Sequence, residues 1–207
     1  DEGVLYAAIV LAYGLCGTAT AGLRAGAHPL VIPRAHDCIT LFLGGRERYQ
    51  KEFNACPGTY WYVQDYIERV EREDIPLSIG AYTSRNADQN YAEYVQKYGV
   101  DNANYLVKVM NEWQKHYERA AYIDLDISGS KTGAAFARQE AKKQGWRFEL
   151  LKGRMDLIRR LLDGDWGGGD FLLVQPGQQV EMIGGEDVIC TVNAEQTGES
   201  RGIKTGH

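Results

Sequence analysis

Apolar and polar positions follow two rhythms along this chain. Near-continuous apolar runs at Tyr6 to Tyr13 (YAAIVLAY) and His28 to Pro33 (HPLVIP) predict strands buried on both faces, the signature of a parallel sheet. Between them, Thr18 to Arg24 predicts a short helix with Thr18 as its N-cap. Together they make one strand, helix, strand unit. Such units close right-handed and gather their loops at the carboxyl ends of the strands, where open α/β sheets bind ligands. The loops here read YGLCGTATAG and PRAHDC.

Helical spacing takes over from Asp37, with Ile39, Leu41 and Phe42, breaks at Gly44-Gly45, and resumes in Arg46 to Phe53. Cys56 to Tyr62 (CPGTYWY) reads as a Pro-Gly turn followed by aromatics, and Val63 to Glu73 as an amphipathic charged helix. Asp74 to Asp88, with Pro76, Gly80, Ser84 and Asn86, is the predicted linker. Helices follow at Asn90 to Tyr98 and Asn102 to Arg119. A strand is then predicted at Ala121 to Ile127, a helix at Thr132 to Gln144, a strand at Trp146 to Leu151, a helix at Met155 to Leu162 and strands at Phe171 to Val174 and Gln179 to Ile183. The predicted fold is α/β: two Rossmann-like lobes with mainly parallel sheets and a cleft between them. Residues 1–86 form the N-terminal lobe and 87–207 a helical bridge with the C-terminal lobe.

Composition narrows the function classes. A 207-residue chain with 44% hydrophobic and 25% charged side chains has the balance of a globular protein able to bury a core. Its net charge is -5 and its basic residues are scattered, which argues against a nucleic-acid partner. The apolar stretch Val4 to Leu15 is far shorter than the roughly 20 residues of a membrane helix. No basic leader or small-residue cleavage site is read at the start, so the cytoplasm is the expected compartment and the cysteines are expected as thiols. His207 reads as the stub of a purification tag.

The chemistry concentrates at the ends of the first two strands. Cys16 follows the first, and His36 with Cys38 follows the second, so adjacent parallel strands would carry all three to one edge. Thiolate and imidazole suit zinc, and iron next; three protein ligands with an open fourth position make a catalytic zinc site. The alternative is that the cysteines are buried as small hydrophobes and His36 is a hydrogen-bonded turn residue. Gly17, with Gly14 and Gly22, makes a Gly-rich turn that can offer N–H groups to an anion, or merely let chain segments approach closely. Arg46 and Arg48 open a helix near these ligands and could bind a carboxylate or phosphate, or form a solvated face. Tyr60, after the Pro-Gly turn, could line a substrate pocket or simply pack. Asp124 and Asp126, at the end of a later strand, are candidate metal ligands or bases, with ion pairing or capping as the alternative. SGSKTG (Ser128 to Gly133) lacks the spacing of a phosphate loop and reads as a turn.

The strings LAYGLCG (Leu11 to Gly17), PLVIPRAHDCITLFLGGRERY (Pro29 to Tyr49) and PGTYW (Pro57 to Trp61) resemble the DUF1638 family of uncharacterised proteins. The likeness extends through YGVDNANYL (Tyr98 to Leu106) and GDW (Gly164 to Trp166) with the FLLVQPG that follows. Family members carry additional sequence before LAYGLCG, which implies that this first lobe lacks an N-terminal strand or more, and their residue before PGTYW is often not Cys, which weakens Cys56 as a ligand. The resemblance also implies anaerobic bacteria and methanogenic archaea, where the genes accompany corrinoid-dependent methyltransferases. In zinc enzymes that methylate a thiol, a His-x-Cys pair plus another Cys often hold the ion, a match in donor type though not in fold.

Two functions are therefore expected. One is a zinc or iron protein acting on a thiol or methylated small molecule, with metal on Cys16, His36 and Cys38 and the substrate on Arg46, Arg48, Gly17 and Tyr60. The other is a non-catalytic module that binds a corrinoid, a corrinoid protein or its methyltransferase.

Overall fold

The structure, a computed structural model, describes residues 6–16, 19–71, 91–126, 132–183 and 188–194; at 69–71 and 109–114 it describes the backbone alone. The predicted linker at 74–88 and Gly17 lie outside the described residues. The fold is mixed α/β and divides into two compact units, one from segments 1–51 and 154–207, the other from 52–153. This division does not follow the expected boundary at 86/87. The first unit takes a strand from near the end of the chain into the sheet begun at its start.

In the first unit, β1 (Ile9–Val10) pairs in parallel with β2 (Leu30–Pro33). On its other side β2 pairs antiparallel with Phe171–Val174, so this sheet is mixed where a parallel one was expected. Every residue of β2 is buried because both faces of the strand are covered. Leu30 and Ile32 join Leu172, Val174, Val180 and Ile189 on one face. Val31 faces the other way, toward Leu41, Leu157, Leu161 and Phe171. Burying each such aliphatic side chain contributes about 1.5–3 kcal/mol, so this double-sided strand anchors the unit.

Two predictions about the first strand fail in detail. The apolar run Tyr6 to Tyr13 has only two residues in ladder geometry, and Tyr6, Ile9 and Tyr13 are exposed at 65%, 45% and 49%. Among the described residues it is an edge strand, hydrogen-bonded on one side. The helix expected at Thr18 to Arg24 is absent from its described part, residues 19–24, which is a turn. Gly22 sits there at φ +79°, its N–H bonded to the carbonyl of Val180, and Arg24 bridges Gln179. Pairing with the chain around Gln179 thus replaces the internal hydrogen bonds of a helix.

Helix α1 (Cys38–Leu43) begins where the sequence indicated, because Asp37 caps it by accepting the Thr40 N–H at 3.1 Å. Gly44 ends it in the left-handed conformation at φ +87°, and α2 (Arg46–Ala55) starts anew.

The second unit holds a parallel sheet in the order β3 (Thr59–Val63), β4 (Arg119–Asp124), β5 (Arg147–Lys152). The aromatic stretch after Pro57-Gly58, left without an element in the sequence reading, is the first of these strands. Arg119, expected at the end of a helix, opens β4. Helix α3 (Gln64–Glu71) follows β3, and α4 (Tyr91–Tyr98) with α5 (Val100–Glu112) forms a helical pair closed by a 3-10 turn, Trp113–His116. Helix α6 (Thr132–Gln144) falls where predicted and presents Gly133, Ala137 and Ala141 inward. A Cβ on Gly133 would lie 2.3 Å from Gln64 Oε1 and 2.8 Å from the Tyr122 ring, so only glycine lets the helix this close.

The chain returns to the first unit with α7 (Asp156–Asp163), whose Leu157 and Leu161 sit one turn apart on the buried stripe. β6 (Phe171–Val174) leads to the antiparallel hairpin of β7 (Gln178–Met182) and β8 (Ile189–Asn193), the last an element not anticipated from the polar tail. No helix among the described residues is long and apolar enough to cross a membrane.

Candidate functional site

Three loops of the first unit meet at one edge of its sheet. Beyond β1 the chain continues alongside the segment after β2: Leu15 N–H bonds to Ala35 O and Cys16 N–H to His36 O, each at 2.9 Å. Because β6 runs antiparallel to β2, the loop before it arrives at the same edge, where Arg34 N–H bonds to Asp170 O at 2.8 Å. Gly14 permits the close approach. A Cβ there would lie 2.4 Å from the carbonyl carbon of Asp37, inside any tolerable contact with backbone.

The cysteines differ along this edge. Cys16 is exposed and held at φ +40°, a left-handed conformation uncommon outside glycine. Cys38 is half-buried at the first position of α1, and His36 is exposed. Backbone pairing therefore brings Cys16 beside His36, two residues before Cys38. Among the described residues no three His, Cys, Asp or Glu side chains are grouped so as to hold a metal ion. Cys16, His36 and Cys38 are thus neighbours on one edge without being a preassembled ligand set.

One member of the edge was missed by the sequence reading. Tyr49, on α2, places its ring 6.1 Å from the His36 imidazole with the planes tilted by 31°. Its hydroxyl hydrogen-bonds the Asp37 carboxylate, which also accepts from the Thr40 backbone N–H and hydroxyl. Burial, then the charge of Asp37 and that hydrogen bond, push the Tyr49 pKa up to about 12. At neutral pH it is a hydrogen-bond donor and no base. The only sequence trace of this role is that Tyr49 stands one helical turn after Arg46, just past the glycine break.

Other predicted residues are accounted for individually. Arg46 reaches the loop before β6, its guanidinium donating to Gly169 O at 3.2 Å, and Arg48 donates to Leu43 O at 3.5 Å. That loop is braced from α7, where Arg160 binds Asp165, Asp170 and the Gly167 carbonyl, and the Trp166 indole donates to Leu161 O. Tyr60 belongs to the second unit, where its ring stacks on Trp146 at 5.6 Å and meets Tyr117 edge-on at 5.3 Å. Cys56 is buried there, its carbonyl accepting from the Thr59 hydroxyl. Asp124 accepts the Asp126 N–H at 3.0 Å in a local turn, and the described part of SGSKTG opens α6, where Gly133 N–H is capped by Gln64.

The fold and this edge define an α/β protein that brings a thiol-bearing loop and a histidine loop together at the end of one strand pair. The match to the family model described as "Protein of unknown function (DUF1638)" spans residues 3–162. The chain belongs to that family. Neither the curated proteins nor the solved structures yield a match.

Proposed function

We propose that the edge formed by Cys16, His36 and Cys38 binds zinc or iron and acts on a thiol or methylated small molecule. One observation carries the reading: the Cys16 N–H to His36 carbonyl bond, which sets a thiol loop beside a histidine loop that carries a second thiol two residues on. The donor types suit zinc or iron, and a bound ion of this kind lowers the pKa of a coordinated thiol and yields a thiolate at neutral pH. An ion would draw the three side chains together from positions the backbone already brackets.

The chain's own residues supply the surroundings. Asp37 fixes the start of α1, so Cys38 enters the edge on a capped helix. Arg46, braced at Gly169, stands at the loop before β6, where the anionic end of a substrate would meet positive charge. In this reading both units are Rossmann-like, with ligands taken at the carboxyl ends of parallel strands. A link to corrinoid-dependent methyl transfer belongs to the same proposal and rests on the family resemblance alone.

Metal content by mass spectrometry tests this, on untagged protein purified without oxygen, with Cys16→Ser and Cys38→Ala beside the unaltered chain. Near one equivalent of zinc or iron, lost in both variants, supports it. No metal in any sample overturns it and leaves the non-catalytic binding module as the reading to pursue, by titration with a corrinoid.

A further inference from the structure

We propose that Cys16 and Cys38 are a redox pair, two thiols that close to a reversible disulfide at the edge of the first unit. The proposal goes beyond the reading above and needs no metal ion. It asks for two side chains on neighbouring backbone, where coordination asks for a preassembled group of three.

Two backbone contacts bring these cysteines together. The Cys16 N–H bonds to the carbonyl of His36 at 2.9 Å, which fixes Cys16 at the peptide group between His36 and Asp37. Gly14, two residues earlier, lies against the next peptide group, the one that joins Asp37 to Cys38. A Cβ on Gly14 would stand 2.4 Å from the Asp37 carbonyl carbon and 2.7 Å from its oxygen. The segment from Gly14 to Cys16 therefore covers both peptide groups immediately before Cys38. Disulfides join cysteines whose Cα atoms are about 4.4–6.8 Å apart, the separation of touching backbone segments.

The two thiols divide the work by exposure. Cys16 is exposed and meets an oxidant in water, while Cys38 is half-buried beside it. The remaining cysteines lie elsewhere, Cys190 in β8 and Cys56 in the second unit. The oxidant is a small-molecule disulfide. The Cys16 thiolate attacks one of its sulfurs, the S–S bond breaks, and one small thiol leaves with the electron pair. The Cys38 thiolate then attacks the Cys16 sulfur of this mixed disulfide, forms the Cys16–Cys38 bond and expels the second small thiol. The two protons lost by the cysteines end on the two released thiols. An excess of small thiol runs the exchange backwards, which makes the bond transient, as redox-sensing disulfides in reducing compartments are.

The test treats the folded, metal-free chain with glutathione disulfide, alkylates the remaining thiols under denaturing conditions, and maps the peptides by mass spectrometry without reductant. The expected result is loss of two of the four thiols, one peptide pair joined through Cys16 and Cys38, and alkylated Cys56 and Cys190. Dithiothreitol should restore both thiols. In Cys38→Ser the glutathione should stay on Cys16 as a mixed disulfide, because the thiol that expels it is gone. A mixed disulfide that persists on Cys16 of the unaltered chain overturns the pair, as does a Cys16 that joins Cys190 or stays unmodified. The metal reading is judged separately, by the metal content of the reduced protein. A chain without zinc or iron can still form this bond, and a chain that fails to form it can still bind an ion.

Discussion

Cys16 gives its backbone N–H to the carbonyl of His36 at 2.9 Å, one step beyond the Leu15 to Ala35 bond of the same length. The parallel alignment of β1 with β2 is thereby carried past the ends of both strands and into their loops. Two loops that could have splayed apart are held side by side by backbone hydrogen bonds, although neither is in strand geometry. This backbone pairing, more than any side-chain contact, makes Cys16 and His36 neighbours.

Gly14 is the residue that this alignment cannot lose. In Gly14→Ala the new methyl would meet Asp37 backbone atoms at 2.4 to 2.7 Å, and backbone cannot yield as a side chain end does. The loops must part or the strand must shift. The expected cost is about 1–3 kcal/mol, measured by urea unfolding. Exposure of Cys16 should change with it, read as an altered rate of thiol labelling. Stability and labelling both equal to those of the unaltered chain would contradict this account of the edge.

The Asp37 to Tyr49 contact makes a pH prediction with a definite sign. Tyr49 titrates near 12 in the folded chain against 10.0 for an unperturbed tyrosine, so between those values the folded state holds a proton that the unfolded state has lost. The stability this contributes is complete below about pH 10 and is lost as pH rises through about 12. In Asp37→Asn, a cap of equal quality, the charge disappears while burial, the larger cause, remains. The tyrosinate midpoint should fall and stay above 10.0. Ultraviolet difference titration against Tyr49→Phe isolates this group among the 13 tyrosines. A midpoint unmoved by Asp37→Asn would deny the contact.

How far the sequence could be read depended on whether a pattern had one physical explanation. Leu30 to Pro33 was legible as a doubly buried strand, and Asp37 with Gly44 bracketed α1, because cap and stop chemistry are local. Tyr6 to Tyr13 was equally apolar and misread, since apolarity does not distinguish a central strand from an edge whose Tyr6 and Tyr13 face solvent. The antiparallel return of β6 was illegible because strand direction depends on the path of the chain through the other unit. At the site, topology alone predicted that the Cys16 and His36 loops adjoin. Tyr49 could not be placed, because its contact with His36 depends on the angle at which α2 leaves the Gly44-Gly45 break.

Arg119 supplies a prediction about the second unit. It is 2% exposed, yet its guanidinium binds Glu52 and Glu149 at 3.0 Å each, the Thr59 hydroxyl at 2.8 Å and the Glu52 carbonyl at 3.0 Å. Those hydrogen bonds raise its pKa against the opposing effect of burial, so it stays charged. Arg119→Met leaves Glu52, Thr59 and a backbone carbonyl without their donor in a buried place. Breaking such a pair costs about 3–5 kcal/mol, with the low end expected here because Glu149 reaches water. Glu149→Gln should cost less than about 1 kcal/mol, as exposed pairs do. Chemical unfolding of both variants checks the order, and equal losses would show that burial of the arginine does not set the scale.

The four cysteines should separate by reactivity, and the separation reports on function directly. Cys16 is exposed, Cys38 and Cys190 are half-buried, and Cys56 is buried. Alkylation of the metal-free native protein, followed by mass spectrometry, should therefore modify Cys16 first and Cys56 last, because the thiolate must meet the reagent in water. Added zinc divides the middle pair. If Cys16 and Cys38 bind the ion, zinc slows both together, while Cys190, in β8 and outside the edge, reacts at its former rate. Protection of Cys16 alone would mean that Cys38 is not a ligand. Equal protection of Cys190 would mean that zinc acts by tightening the whole unit and not by coordination at this edge.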